Sequence, residues 1–242
     1  MKRIFAATLL MTTCSLTLLA QTASRDDLLK DIEAKRAELA KLQEKFLAPS
    51  AEDRAGYAEF LSQPDTGLIR LLPREKYDGS GERKAKLDIN GGGAYYSFAR
   101  LTHEYGMGQD IGLESGYLST GFGGADYGML TKLEGARLED VSAELPGLIF
   151  LAKYNAVNNV PDARVEQTRF QGGAVIDGIS YKRRVPVEVG ATYALRSIQF
   201  ERADVLVAFR VVRQDTDGSL IIAWKLLQKY PMPKLARNQL NN

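Results

Sequence analysis

The sequence predicts an α+β protein, in which an N-terminal helical segment precedes a mainly antiparallel β domain closed as a sandwich or a barrel-like sheet. Residues 24–48 repeat apolar side chains three and four positions apart, the spacing of one helix face. From about residue 87 onward, apolar residues instead recur at every second position between Gly and Asp turn signals, which favours strands. Residues 187–227 add runs rich in Val, Ile, Tyr and Phe, the residue types enriched in sheets.

Residues 1–23 have the layout of a secretory signal peptide. Lys2 and Arg3 form a basic start, residues 4–20 carry no charge, and small residues stand at Ala20 and Ala23. We therefore expect cleavage near Ala20 or Ala23 and a secreted or periplasmic mature protein.

Two alternatives to cleavage are a retained membrane anchor and lipoprotein processing at Cys14. The uncharged run is shorter than the ~20 apolar residues of a membrane-spanning helix and contains several Thr residues. Cys14 is followed by further apolar sequence, whereas a lipidated Cys would end that run. The sequence thus favours cleavage, and we expect no transmembrane anchor afterwards. Since Cys14 is the only Cys, the mature chain would hold no disulfide.

Charge and composition exclude several classes of function. Loss of Lys2 and Arg3 with the signal would leave equal numbers of basic and acidic residues, so no general electrostatic attraction to nucleic acid is expected. His103 is the only His, which excludes a site with several His ligands in one chain. We expect no metal site and no cofactor.

Residues 24–48 are predicted to form one helix. Ser24 and Asp27 have the spacing of a capping box, and Pro49 follows the end of the helix. The apolar face has the a/d spacing of a coiled coil; its positions are Leu28, Ile32, Lys35, Leu39, Leu42 and Phe46. A parallel pair of such helices would bring Asp31 opposite Arg36. Homo-oligomerisation, packing on the protein's own domain and a loose stalk all remain open, since the seam is short and Lys35 interrupts it.

Residues 49–86 read as a short helix and a linker. Ser50 and Asp53 repeat the capping-box spacing, which predicts a helix over 51–62 that ends before Pro64. A short apolar stretch follows at 68–72, and the residues after Asp78 are typical of an exposed loop.

Residues 87–235 form the predicted β-rich domain, and 236–242 the predicted disordered tail. Residues 146–157 could be helix or buried strand, and 161–170 a brief helix. The last four strands are predicted at 187–189, 192–200, 205–212 and 220–227. Asp217-Gly218 predicts a type I′ hairpin between the last two.

That hairpin assigns a position to the only tryptophan of the chain. A two-residue turn at Asp217-Gly218 would place Phe209 opposite Leu226 and Val211 opposite Trp224. Trp224 is therefore predicted to be a core residue of the last strand.

The best polar cluster of the sequence lies in the Gly- and Tyr-rich region 91–128. A His beside carboxylates could act as a general base, and paired carboxylates could cleave a glycosidic bond. Ordinary loops also carry such residues, so these are weak candidates. The candidate catalytic residues are His103, Glu104, Asp110 and Asp126, with Glu114 and Tyr127 nearby in sequence.

Two further patterns suggest ligand binding. Aromatic rings beside hydrogen-bonding groups suit sugar or peptide ligands, and cations that share a concave face could bind an anion. Both patterns are more often found in an ordinary antiparallel sheet without a ligand. The candidate binding residues are Tyr95, Tyr96, Tyr105, Tyr127, Arg196 and Arg210.

The function that the sequence favours is that of an exported, non-enzymatic binding or interaction protein. Its partner would be an unidentified protein, a small molecule or a second copy of the chain. The alternative is a secreted hydrolase, possibly directed at glycans, that would use the carboxylates and His103 of the Gly- and Tyr-rich region.

Overall fold

The computed structural model describes residues 24–78, 87, 89, 91–103, 105–106 and 108–236. The predicted signal peptide, most of the predicted loop after Asp78, Glu104 and the tail beyond Ala236 lie outside these residues. The chain divides into two units, residues 1–42 and 43–242. The first is described from Ser24 onward and is helical.

Six α-helices and one 3₁₀ helix are described. They are α1 (Arg25–Leu47), α2 (Ala51–Gly56), α3 (Ala58–Leu61), α4 (Arg74–Tyr77), the 3₁₀ helix η1 (Leu138–Asp140), α5 (Ile149–Lys153) and α6 (Val160–Gly172). None of these described helices combines the length and the apolar character needed to cross a bilayer.

Eleven strands form three antiparallel sheets in the described residues. They are β1 (Thr66–Leu71), β2 (Tyr95–Tyr96), β3 (Ile111–Glu114), β4 (Tyr117–Ser119), β5 (Tyr127–Leu133), β6 (Ala174–Ile176), β7 (Ile179–Tyr181), β8 (Arg184–Pro186), β9 (Thr192–Gln199), β10 (Ala203–Gln214) and β11 (Leu220–Lys229). The large sheet has five strands in the order β1-β11-β10-β9-β5, the small sheet has four in the order β2-β3-β4-β8, and β6 pairs with β7. The predicted α+β class is confirmed.

The large sheet is buried on both faces. One face packs against α3, α5, α6 and η1, which supply Phe60, Leu151, Phe170 and Leu138. The other face packs against the small sheet, which supplies Tyr96, Ile111, Leu113, Leu118 and Val185. The unit from residue 43 onward is therefore a two-sheet sandwich with a helical layer on its outer side.

Both predicted helix starts are confirmed. The backbone N–H of Asp27 donates to Ser24 Oγ at 3.2 Å. At α2, Ser50 and Asp53 make the reciprocal capping-box bonds, each 3.1 Å long. The helix predicted over 51–62 is divided into α2 and α3, and the break follows Gly56, a poor helix former.

The segment read as a linker contributes a strand of the large sheet. Within 49–86, β1 pairs along its whole length with β11. Ile69 and Leu71 point into the sandwich, while Leu68 lies in the opposite, helix-covered core. The apolar stretch at 68–72 was too short to indicate a strand partner so far along the chain.

The predicted register of the last hairpin is wrong by two residues. A type I′ turn needs positive φ at both central residues, but Gly218 has φ +89° and Asp217 is not among the positive-φ residues. The chain instead turns over Asp215–Gly218, with a further irregularity between Val211 and Arg213.

Two shifts of one residue each preserve the face on which every side chain lies. Phe209 is therefore opposite Trp224 rather than Leu226, and Val211 is opposite Ile222 rather than Trp224. Trp224 is 5% exposed, which confirms it as a core residue.

Other boundaries also differ from the prediction. Residues 187–189 are not a strand; β8 ends at Pro186, before them. Residues 146–157, left open by the sequence, contain the short helix α5. The helix predicted over 161–170 is confirmed as α6, with Asn159 as its N-cap.

Trp224 lies in a pocket shaped by neighbouring residues. Its ring centroid is 5.4 Å from that of Phe98, and it covers Gly67 on β1, where an added Cβ would come within 2.5 Å of the indole. Its Nε1 is buried and has no hydrogen-bond partner among the described residues. Trp224 thus contributes to the core through the packing of its ring, and its N–H contributes no hydrogen bond.

We predict that Trp224→Ala lowers the free energy of unfolding by ~3–5 kcal/mol because it leaves a large cavity. Trp224→Phe keeps one aromatic ring and leaves a smaller cavity, and the N–H that it removes has no hydrogen bond to lose, so we expect it to cost less than about 2 kcal/mol. Urea unfolding of both variants measures the difference. Solvent-like fluorescence of Trp224 in the native protein, or equal costs for the two variants, would contradict this assignment.

Candidate functional site

Two neighbouring cavities lie beside the Gly- and Tyr-rich region. The first, here the glycine-loop cavity, has a volume of about 570 Å³; its lining includes Gly106, Gly108, Gln109, Gly123, Gly124, Asp126, Phe200, Glu201 and Arg202. The second, here the arginine cavity, has a volume of about 470 Å³; its lining residues are Arg74, Tyr105, Glu114, Ser119, Phe122, Gln171, Arg183 and Arg184. Tyr105 and Phe122 line both, so these two rings form a shared wall.

Tyr95 supports that shared wall from behind. It is buried on β2, and its ring lies 4.5 Å from Tyr105 and 5.2 Å from Phe122, centroid to centroid. Gly112 on β3 makes room for the packing, since a Cβ there would come within 2.6 Å of the Tyr95 ring and 3.0 Å of the Phe122 ring. The glycine at position 112 of β3 therefore allows the Tyr95 and Phe122 rings to pack together beside the two cavities.

Glu114 is held inside the wall of the arginine cavity. Its Oε1 accepts hydrogen bonds from Arg74 Nη1 at 3.0 Å and from the hydroxyl of Tyr95. Burial and the nearby Glu114 carboxylate raise the pKa of Tyr95, so this phenol stays protonated and remains a donor. The charge of Glu114 is thus compensated within the protein.

Arg183 lies directly before β8 and Arg184 is the first residue of β8; both line the arginine cavity. Arg183 Nε donates to the carbonyl of Thr120 at 3.0 Å. Arg184 Nη2 donates to the carbonyl of Glu114 at 3.1 Å, and its guanidinium lies 4.0 Å from the centroid of the Tyr117 ring. Each guanidinium is oriented by one backbone carbonyl and keeps further N–H groups available.

Asp126 is the predicted catalytic candidate that lines a cavity. Its Oδ1 accepts from the backbone N–H of Phe200 at 2.9 Å, and its Oδ2 lies 3.6 Å from Arg202 Nη1. Burial raises its pKa above the ordinary value. Both oxygens are engaged in joining the Gly-rich loop to the end of β9.

Asp110 is buried and ties a loop to the large sheet. Its Oδ2 accepts from the backbone N–H of Phe98 at 2.7 Å and of Ala99 at 3.3 Å. Its Oδ1 accepts from Gln199 Nε2 at 2.6 Å. Burial raises the pKa of Asp110 to about 6. The residue lines neither cavity, so its role here is to anchor residues 97–99.

His103 is also engaged in the frame of the protein. Its Nε2 lies 2.6 Å from the carbonyl oxygen of Arg70, and its ring contacts Tyr96 edge to face at 4.9 Å. Burial lowers the pKa of His103, which favours the neutral imidazole. His103 lines neither cavity, and Glu104 lies outside the described residues, so the structure does not bring His103 together with Asp110 and Asp126 in one cavity.

The aromatic candidates separate into core residues and one cavity residue. Tyr96 packs in the sandwich core, where burial raises its pKa to about 12. Tyr127 packs in the other core and accepts a hydrogen bond from the backbone N–H of Val157 at 3.1 Å. Tyr95 supports the wall, and Tyr105 lines both cavities.

Arg196 and Arg210 do not form a shared anion site. Arg196 is 1% exposed and makes a bidentate pair with Asp204, with Nε 2.5 Å from Oδ1 and Nη2 2.9 Å from Oδ2. Its Nη1 donates to the carbonyl of Leu151 at 2.9 Å. Arg210 lies opposite Thr192, four positions along β9 from Arg196 and thus ~13 Å away.

Sequence reasoning missed most residues of the arginine cavity. Arg74 is on α4, Phe122 follows β4, Gln171 is near the end of α6, and Arg183 precedes β8. The run Lys182-Arg183-Arg184 was the available signal, because consecutive cations beside a short strand concentrate positive charge at one place. Glu114 was recognised only as a neighbour of the His103 cluster, whereas Tyr105 was among the candidate binding residues.

No grouping of three or more metal-ligating side chains occurs in the part of the chain that the structure describes. No protein-family model, no curated protein and no solved structure matches this chain. The geometry above is therefore the basis for any functional statement.

We predict that the buried Asp110 carboxyl makes stability depend on pH. Its folded-state pKa of about 6 lies above the ordinary value of 3.8, so the protonated form stabilises the fold. That contribution is complete below about pH 4 and is lost as the pH rises through about 6, a change of ~3 kcal/mol. Asp110→Asn removes the titrating group, so its free energy of unfolding should gain ~3 kcal/mol relative to wild type between about pH 4 and pH 7.

Urea unfolding at the two pH values measures this difference. The matched control is Asp177→Asn, which makes the same substitution at an exposed position. A parallel pH dependence in wild type and Asp110→Asn would show that folding does not raise the pKa of Asp110.

Proposed function

We propose that the protein is an exported, non-enzymatic binding protein that associates with a second copy of itself through α1. The observation that carries the proposal is the exposed apolar seam of that helix. Leu28, Ile32, Leu39 and Leu42 have the a/d spacing of a coiled coil and are 38–59% exposed. Gln43 and Leu47, at the C-terminal end of α1, are its buried residues.

A second copy suits this seam in charge and in the spacing of its apolar residues. In a parallel pair, Asp31 of one helix would lie opposite Arg36 of the other, a favourable contact across the seam. An isolated helix of this length is marginal in water and gains stability when its apolar face is covered. Because the seam from Leu28 to Phe46 spans only about two and a half heptads and contains Lys35, we expect a dimer that dissociates in the micromolar range.

The non-enzymatic part of the proposal is supported by the contacts of the candidate catalytic groups. Asp110 is surrounded by donors from residues 97–99 and Gln199, and His103 is bonded to the carbonyl of Arg70. Groups used in this way hold the fold together and are not presented to a substrate. Of the candidate catalytic residues that the structure describes, Asp126 lines a cavity, and the hydrolase alternative would need a second of them beside it.

Export is supported by residues 1–23 alone. We predict that the protein recovered from the periplasm or the medium begins near Gln21 or Ser24, because the basic start, the uncharged run and the small residues have the order that signal peptidase recognises. Intact mass spectrometry of the recovered protein measures the N-terminus. A protein that still begins at Met1 in the envelope fraction would contradict export by cleavage.

Self-association is tested by variants of the seam. Leu39→Asp combined with Leu42→Asp places charges in the seam, so we expect a folded monomer at concentrations where the wild type is dimeric. Lys35→Leu removes the polar interruption and should tighten the dimer at least tenfold. Light scattering and analytical ultracentrifugation across a concentration series measure both effects.

The matched control carries the same new charges on the opposite side of the helix. Ala37→Asp combined with Ala40→Asp lies outside the a/d positions and should leave the dimer intact. A wild-type protein that stays monomeric at all concentrations, or a Lys35→Leu variant that associates no more tightly, would refute pairing through α1.

A further inference from the structure

The arginine cavity has a charge arrangement that its own residues do not neutralise. Three arginines and one carboxylate line it. The carboxylate, Glu114, is already bonded to Arg74 and Tyr95, and Arg74 also pairs with Asp78 at 2.9 Å. The positive charges of Arg183 and Arg184 are left without a carboxylate partner among the described residues.

Contacts within the protein orient the side chains of both Arg183 and Arg184. Arg183 is fixed through Nε by the carbonyl of Thr120, and among the described residues its two Nη groups have no hydrogen-bond partner. Arg184 is fixed by the carbonyl of Glu114 and by stacking on Tyr117. A guanidinium with free Nη groups matches the oxygens of a carboxylate or a phosphate, and prior orientation reduces the entropy lost on binding.

The remaining lining suits a ring that bears hydroxyl groups. Tyr105 and Phe122 supply aromatic surface, while Ser119 and Gln171 supply a hydroxyl and an amide. Aromatic rings beside hydrogen-bonding groups suit a sugar ring, whose faces are apolar and whose edges are polar. The volume of about 470 Å³ lies within the range of small-molecule sites.

The glycine-loop cavity differs from the arginine cavity because two carboxylates and one arginine line it. Asp126 and Glu201 line it beside Arg202, and Asp126 accepts from Phe200 N–H and lies beside Arg202. An anion entering there would meet carboxylates. Selectivity for an anion is therefore expected on the arginine side of the Tyr105–Phe122 wall.

We propose that the arginine cavity binds a saccharide that carries an anionic group, with Arg183 and Arg184 on the carboxylate or phosphate and the Tyr105–Phe122 wall against the sugar ring. The anion comes from one of two sources, a sugar acid or a sugar phosphate. The assignment is independent of pairing through α1.

Calorimetric titration of the full protein at low salt tests the proposal with D-glucuronate, glucose 6-phosphate, D-glucose and inorganic phosphate. We expect at least one of the two anionic sugars to bind at least tenfold more tightly than D-glucose and than inorganic phosphate. Tighter binding of D-glucuronate identifies a sugar acid as the ligand class, and tighter binding of glucose 6-phosphate identifies a sugar phosphate. If neither exceeds D-glucose and inorganic phosphate, the proposal is wrong.

Variants locate the site. Arg183→Gln and Arg184→Gln should each weaken binding of the preferred anionic sugar about tenfold to a hundredfold, the usual effect of losing a charge-assisted hydrogen bond. Arg164→Gln is the matched control, because it removes the same charge from an exposed position of α6 outside both cavities. Thermal unfolding of each variant checks the fold.

Arg184 is exposed, so its variant decides the outcome if Arg183→Gln does not fold. Unchanged affinity in a folded Arg184→Gln, or equal losses in Arg164→Gln, would overturn the assignment of the site.

Discussion

The large sheet buries side chains on both of its faces, and the other layers of the protein follow from that constraint. All residues of β9 are buried, as are the central residues of β10 and the first half of β11. A sheet that is apolar on both faces must be covered twice, since burying apolar area is the main favourable term in folding. The small sheet covers one face, and α3, α5, α6 and η1 cover the other.

A charged residue buried within such a sheet needs an ion-pair partner and hydrogen-bond acceptors from the protein itself. Arg196 lies on the helix-covered face of β9, where Asp204 on β10 and the carbonyl of Leu151 accept its hydrogen bonds. The Tyr230 ring covers its guanidinium. Removing one partner of a buried pair typically costs about 3–5 kcal/mol. Arg196 therefore links β9 to β10, to α5 and to the segment after β11. These contacts explain why a cation lies within the strand, and no bound ligand is needed to account for it.

The sequence indicated the strands of the large sheet better than their pairing. Alternation identified β9, β10 and β11 because their apolar residues recur with period two over many positions. The register of the last hairpin was missed because it depends on the φ of Asp217 and on an irregularity near Val212, and the Asp-Gly dipeptide indicates neither. The error of two residues left Trp224 on the correct face, since a sheet repeats its faces every second residue.

Long-range pairing explains the other differences. β1 was hidden in a segment that read as a linker, because the residues that complete its pairing lie in β11, far along the chain. The arginine cavity was missed for the same reason: α4, β3, the end of α6 and the start of β8 supply its residues. The candidates chosen by proximity in sequence, His103 and Asp110, became anchors of one loop instead.

The position of the arginine cavity follows from where the layers end. The small sheet consists of short strands, and β8 is its edge strand beside β4. Beside this pairing, the backbone carbonyls of Thr120 and Glu114 accept hydrogen bonds from arginine side chains. Polar groups at the margin of a covered sheet can be satisfied without burial of an unpaired charge, whereas Arg196 in the sheet interior needs a carboxylate. Because the large sheet is covered on both faces, Arg196 in its interior is buried and paired with a carboxylate. Arg183 and Arg184, beside the edge of the small sheet, are held by backbone carbonyls and keep N–H groups available.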